Sequence, residues 1–141
     1  ALVLMPSRTA LDVRYVETDA MGIVHHSNFL HWMEVARTDF MKDGGRSYRD
    51  FESKGLRLVV IGVDVIYRGS ARYGDRVQVE TNIVKVHPRG ATFHYQLFVE
   101  DRLIATGHTE HLVTDTSGKT VSMPSEWLDY LKQIQSPHQG S

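Results

Sequence analysis

Hydrophobic positions follow two different periods along the chain, and the periods predict its elements. Apolar residues recur at helical spacing from 28 to about 42 and predict a helix that is apolar on several sides. Shorter helices are predicted at 47–54 and 125–134. Alternating or β-branched segments predict strands at 11–16, 58–67, 76–86, 91–99 and 103–114. The order predicts an α+β fold, and such an apolar helix indicates that a partner subunit covers part of it.

The bulk composition narrows the class of protein. A length of 141 residues predicts a single domain, which we place at 1–135, with a disordered tail at 136–141. The 16 basic and 17 acidic residues nearly cancel, so no net field attracts nucleic acid. The chain has no cysteine, which excludes disulfides and thiol nucleophiles. No apolar run reaches the roughly 20 residues of a membrane span, and we expect a cytoplasmic protein.

The segment 17–28, Glu-Thr-Asp-Ala-Met-Gly-Ile-Val-His-His-Ser-Asn, concentrates the candidate chemistry. Asp19 stands in a predicted turn before the start of the long helix. It is either a turn former or a carboxylate that acts as nucleophile or general base. Gly22 allows a substrate carbonyl to approach the amides near His25 and His26, where helix N-terminal N–H groups would stabilise an oxyanion.

Other candidates carry weaker signals. His26 and His31 are five residues apart, so the i, i+4 pair of a helical zinc site is absent, and we predict no metal. Arg89, in the turn His-Pro-Arg-Gly at 87–90, is part of an ordinary solvated turn or of a phosphate clamp. Glu34 and Arg37 can pair on the helix. The chain has no Gly-x-Ser-x-Gly motif, phosphate loop or dinucleotide fingerprint.

The run Tyr-Val-Glu-Thr-Asp-Ala-Met-Gly-Ile-Val-His-His-Ser-Asn-Phe at 15–29, with Met-Glu-Val-Ala-Arg-Thr at 33–38, resembles the 4-hydroxybenzoyl-CoA thioesterase family. It is most similar to the acyl-CoA thioesterase subfamily associated with the bacterial Tol-Pal system. The resemblance covers about 10–115 and includes 65–67 and 71–77. It implies a hotdog fold, in which a five-stranded antiparallel sheet wraps around a central helix. It also implies a homodimer or homotetramer with active sites at the dimer interface.

For the site, the resemblance implies a cofactor-free acyl-CoA thioesterase that hydrolyses a thioester to a free carboxylic acid and CoA. Asp19 matches the catalytic carboxylate, and the His26 backbone amide would polarise the thioester carbonyl. The other implied site residues are the His26 ring and Tyr15, with Gly22, Ile23, Val24, His25 and Arg89 binding the substrate.

The sequence departs from the family pattern at two places. His25 replaces a common aromatic residue, and Gly-Ser at 69–70 replaces a frequent proline. Two other functions stay open. One is a hotdog hydratase or dehydratase acting on an acyl thioester, and the other is a non-catalytic acyl-CoA-binding subunit.

Overall fold

A computed structural model shows five antiparallel strands in one sheet, with a long helix packed against it. It describes residues 7–43, 46 and 48–135. The strand order is β1-β3-β4-β5-β2, so β1 and β2 are the two edges of the sheet. The predicted α+β fold, a five-stranded antiparallel sheet around a central helix, is confirmed. The elements are β1 Ser7–Asp12, α1 Asn28–Asp43, α2 Tyr48–Ser53, β2 Arg57–Tyr67, β3 Arg76–His87, β4 Gly90–Val99, β5 Arg102–Thr114 and α3 Ser125–Ile134.

The core lies between α1 and the concave face of the sheet. Alternate residues of β4 point at the helix because side chains alternate between the two faces of a strand, and Phe93 and Tyr95 are fully buried there. Phe40 of α1 meets Phe93 edge to face, with ring centroids 6.0 Å apart. At Gly107 of β5, a Cβ would lie 3.3 Å from the terminal methyl of Met33, so this glycine allows α1 to approach the sheet closely.

The first predicted strand, at 11–16, is wrong beyond Asp12. The strand β1 ends at Asp12, and Tyr15–Glu17 forms a turn of 3-10 helix instead. The side chains of Tyr15 and Val16 are 76% and 77% exposed, so their alternation does not mark a buried face. The turn forms because the Glu17 carboxylate accepts the Arg14 N–H, at 2.8 Å.

The later elements were predicted closely. Each of the last four strands matches its predicted range to within one residue at each end, and α3 matches 125–134. The helix predicted at 47–54 is found as Tyr48–Ser53, with residue 47 outside the described residues. The tail predicted at 136–141 also lies outside them, and the single-domain assignment stays a prediction.

Candidate active site

Asp19 closes the tight loop that leads into α1. Its N–H donates to the carbonyl oxygen of Ile23 at 2.8 Å, and the N–H of Gly22 donates to the Asp19 carbonyl at 3.0 Å. Its carboxylate oxygen Oδ1 accepts the N–H groups of Met21, at 2.8 Å, and Ile23, at 3.2 Å. Gly22 has a φ of +78°, a left-handed conformation that favours glycine. The second carboxylate oxygen, Oδ2, accepts no hydrogen bond from the described residues.

The same loop occurs a second time, after β5. The N–H of Asp115 donates to the Lys119 carbonyl at 2.9 Å, and that of Gly118 donates to the Asp115 carbonyl at 3.1 Å. Oδ1 of Asp115 accepts the N–H groups of Ser117 and Lys119, at 2.9 and 3.1 Å, and the φ of Gly118 is +88°. The sequence Asp-x-x-Gly is therefore a backbone turn in its own right. What distinguishes the Asp19 loop is its position at the start of α1.

Six of the seven backbone N–H groups from residue 24 to residue 30 have an acceptor among the described residues. The N–H of Val24 donates to the Ala71 carbonyl, and that of His25 donates to the Glu17 carbonyl. Ser27 donates to Nδ1 of His25, and the next three N–H groups, of residues 28–30, donate to carbonyls one turn earlier. The N–H of His26 has no acceptor among the described residues. An N–H in this position, at the start of a 16-residue helix, suits a developing oxyanion.

The loop is held to α1 by a buried carboxylate. Glu17 is 4% exposed and accepts the indole N–H of Trp32 at 3.1 Å. Burial alone would raise the pKa of the Glu17 carboxyl. The hydrogen bonds from the Arg14 N–H, the Trp32 indole and the Arg14 guanidinium outweigh burial and hold the pKa below its ordinary value. Glu17 is therefore charged at neutral pH.

Among the described residues, no hydrogen bond joins the predicted catalytic side chains of His26 and Tyr15 to Asp19. The rings of His25 and His26 stack with centroids 4.5 Å apart. Tyr67 of β2 donates its hydroxyl to the His26 carbonyl at 3.3 Å, and its ring meets the His26 ring edge to face. The Tyr15 ring packs on Tyr73 at 5.8 Å, and among the described residues no hydrogen bond joins it to Asp19.

The predicted substrate-binding residues do not all lie at the Asp19 loop. Gly22, Ile23 and His25 lie on the loop itself, whereas the Val24 side chain is 6% exposed and belongs to the core. The loop pairs with residues before β3, through a bridge between Ile23 and Arg72. Arg89 lies beyond the far end of β3. The strand extends over roughly 36 Å, at about 3.3 Å per residue. One chain therefore does not bring Arg89 to the Asp19 loop.

The predicted pair of Glu34 and Arg37 is not formed. Arg37 donates instead to the Tyr95 hydroxyl at 3.2 Å, and among the described residues no carboxylate lies within ion-pair distance of it. Within the same part of the chain, no group of three or more His, Asp or Glu side chains is arranged to hold a metal ion. In that part, too, no helix is long and apolar enough to cross a bilayer. The cytoplasmic location stays a prediction.

The five-stranded antiparallel sheet with α1 packed against it is a hotdog fold. The family model described as the thioesterase-like superfamily matches residues 13–131. The chain belongs to this superfamily, and it is a thioester hydrolase. The superfamily part of the predicted resemblance is confirmed, while the 4-hydroxybenzoyl-CoA family and its Tol-Pal-associated subfamily stay a prediction.

Individual relatives agree with this assignment. The acyl-CoA thioesterase YbgC of Haemophilus influenzae is 30% identical over 118 residues, which are 81% of this chain and 85% of the relative. The crystal structure of the hypothetical protein TT1821 from Thermus thermophilus has a TM-score of 0.88 and 33% identity, covering 92% of this chain and 99% of that one. DHNA-CoA thioesterase from Staphylococcus aureus has a TM-score of 0.86 and 31% identity, covering 91% and 89%.

The sequence analysis named the His26 amide but gave no role to Glu17. Glu17 directly follows the predicted strand at 11–16, where a charged residue normally faces solvent. A signal was nonetheless present, because an acid three residues after Arg14 can accept its N–H and start a turn. That the His26 amide lacks an acceptor among the described residues depends on the partners of its neighbours, which no sequence pattern supplies.

Proposed function

We propose that this chain hydrolyses acyl-CoA thioesters at the Asp19 loop. One observation carries the proposal. A carboxylate with an available oxygen and a backbone N–H with no described acceptor lie on the same short segment, at the start of α1. A carbonyl held at the His26 amide would be polarised, and Asp19 supplies the base or nucleophile. The acyl-CoA substrate is supported by the name of the Haemophilus influenzae relative.

In the proposed reaction, the thioester carbonyl oxygen accepts the His26 N–H. In one route, the available oxygen of Asp19 attacks the carbonyl carbon, and the tetrahedral oxyanion is stabilised at the amide. Its collapse breaks the carbon–sulfur bond and releases CoA thiolate, which takes a proton from solvent. Water then hydrolyses the mixed anhydride. In the other route, Asp19 removes a proton from water as the water attacks the carbonyl carbon, and collapse of that tetrahedral oxyanion breaks the carbon–sulfur bond and releases CoA thiolate, which takes up a proton, with the free carboxylic acid.

The remaining site residues have supporting roles in this proposal. The His26 ring, with Tyr15 on the preceding turn, borders the place where the leaving thiolate forms. Gly22, Ile23 and Val24 supply the backbone that shapes the loop. His25 and Ser27 hydrogen bond to each other, His25 Nδ1 to Ser27 Oγ at 2.8 Å, and would contact the substrate from the helix side.

We also propose that the active enzyme is a homodimer or homotetramer with its sites at the dimer interface. Among the described residues, the edge strand β2 pairs with β5 alone, and it exposes large apolar side chains on both of its faces, which is typical of an interface. Tyr67 of this strand donates to the His26 carbonyl, so the edge is continuous with the site. The exposed apolar residues are Val59, Val60, Ile61, Val63, Ile66 and Tyr67, at 42–55%.

The position of Arg89 supports the same assembly. If this guanidinium binds the CoA phosphates of an Asp19 site, a second copy of the chain has to supply it, because its own loop is roughly 36 Å away along β3. The activity of an Arg89→Ala protein then falls through a higher KM for CoA esters. A short thioester without the nucleotide part would be hydrolysed as before.

The activity is tested by thiol release from short, long and aromatic acyl-CoAs. Release by the wild type supports the proposal, and no release despite binding of CoA esters favours the acyl-CoA-binding subunit. Hydration of an enoyl-CoA without thiol release favours the hydratase.

The assembly is tested by light scattering during gel filtration. A dimer or tetramer has two or four times the 16.0 kDa chain mass. Ile61→Glu, on the exposed edge strand, should give an inactive monomer, whereas Thr116→Glu, in the loop after β5, keeps the mass and the activity. A fully active wild-type monomer would contradict the proposed interface.

A further inference from the structure

Glu17 is a buried carboxylate whose hydrogen bonds come from both sides of the active-site loop. Its Oε1 accepts the Arg14 N–H at 2.8 Å. Its Oε2 accepts the Trp32 indole N–H at 3.1 Å and the Arg14 guanidinium at 3.3 Å. The side chain therefore connects the 3-10 turn before the loop to the second turn of α1.

The backbone of the same residue makes a second connection. The Glu17 carbonyl accepts the His25 N–H at 2.9 Å and the Asn28 side-chain amide at 3.1 Å. Glu17 lies two residues before Asp19, and His25 lies one residue before His26. One residue thus holds the two ends of the loop together and ties both ends to α1.

Stability alone does not account for a carboxylate at this place. Well-packed apolar residues often replace buried ion pairs without loss of stability. The carboxylate instead fixes the relative orientation of the 3-10 turn, the loop and α1. The N–H groups that donate to it can all reach its oxygens in one arrangement of these three segments. We propose that Glu17 is a positioning residue that fixes the separation between the Asp19 carboxylate and the His26 amide. This inference rests on the function proposed above.

The size of the effect follows from the geometry. A misplacement of about 1 Å at reacting groups can cost about 100-fold in rate. In Glu17→Gln, an NH₂ group replaces one of the two acceptor oxygens and faces an N–H donor of Arg14 or Trp32. The loop then shifts to separate two donors. We expect kcat to fall by about 10- to 100-fold with KM within about twofold of the wild type.

Three variants separate positioning from stability. Glu17→Gln changes the acceptor, and Trp32→Phe removes one donor to it. Trp127→Phe makes the same ring exchange in the core, where the Trp127 indole N–H has no partner among the described residues. The measurements are kcat and KM by thiol release and the melting temperature. We expect Glu17→Gln and Trp32→Phe to lower kcat, and Trp127→Phe to lower stability only.

The results decide the inference in each case. A Glu17→Gln enzyme with wild-type kcat and a lower melting temperature would show a purely structural role and overturn it. A change confined to KM would overturn it as well. If the wild type releases no thiol from any ester, the proposed function fails, and Glu17 is tested by amide hydrogen exchange instead. Faster exchange across 19–26 in Glu17→Gln supports the positioning role, and unchanged exchange refutes it.

Discussion

Replacing Asp19 by asparagine separates the chemistry of the carboxylate from its part in the loop. The Oδ1 atom of Asp19 accepts two backbone N–H groups, those of Met21 and Ile23, and an asparagine carbonyl oxygen can accept the same two. Asp19→Asn therefore keeps the loop and removes the charge. Asp19→Ala removes both, so it loses two hydrogen bonds that are each worth about 0.5–1.5 kcal/mol net.

The expected magnitudes differ between stability and rate. Asp19→Asn should change the free energy of unfolding by less than about 0.5 kcal/mol, as at most surface sites. Loss of a general base typically costs about 10²- to 10⁴-fold, so kcat should fall by at least about 100-fold. Asp19→Ala should be as inactive as Asp19→Asn and less stable. Thiol release from a preferred acyl-CoA gives the rate, and urea unfolding gives the stability.

The second loop provides a matched control. Asp115 accepts the corresponding two N–H groups in the same geometry, so Asp115→Asn makes the same chemical change away from α1. We expect it to keep wild-type kcat. An Asp19→Asn enzyme with more than about a tenth of wild-type kcat would refute the reasoning, because the carboxylate would then be a turn former like Asp115. An equal loss of kcat in Asp19→Asn and Asp115→Asn would indicate a general effect of replacing aspartate by asparagine.

Three further predictions concern the frame around the site. Gly22→Ala and Gly118→Ala should each lower the free energy of unfolding by about 1–2 kcal/mol, because both glycines have positive φ. Only Gly22→Ala should lower kcat. An equal loss of kcat in both variants would contradict a special role for the first loop. Tyr95→Phe should cost about 1–3 kcal/mol in urea unfolding, because it leaves the Arg37 donor at 3.2 Å without its acceptor; an unchanged midpoint would contradict this. Burial, together with the positive charge of Arg37, lowers the pKa of His111 from 6.5 to about 4. The contribution of neutral His111 to the free energy of unfolding is therefore complete above about pH 6.5 and is lost as the pH falls to about 4. That loss is worth about 3 kcal/mol, and it should disappear in His111→Gln when unfolding is measured between pH 4 and 7.

The sequence by itself determined the helices and four of the five strands, whereas the place of the site stays a prediction. Periodicity over ten or more residues is a strong signal, so the ranges of β2 to β5 and of α3 were predicted closely. The loop at 19–22 was found because an acid, a glycine and a following helix start are local features. In each case the determining interactions lie within a few residues along the chain.

The tertiary structure decided what depends on distant partners. Tyr15 and Val16 end a segment that alternates like a strand, yet residues 15–17 form a 3-10 turn that leaves the Glu17 carboxylate beside Trp32, fifteen residues further on. The His26 amide has no acceptor among the described residues, whereas the N–H groups of the two residues before it donate to the Glu17 and Ala71 carbonyls. The length of β3 places Arg89 at the other end of the sheet. Local pattern specifies which element forms, but the acceptor that each buried donor meets is specified only when the elements pack together.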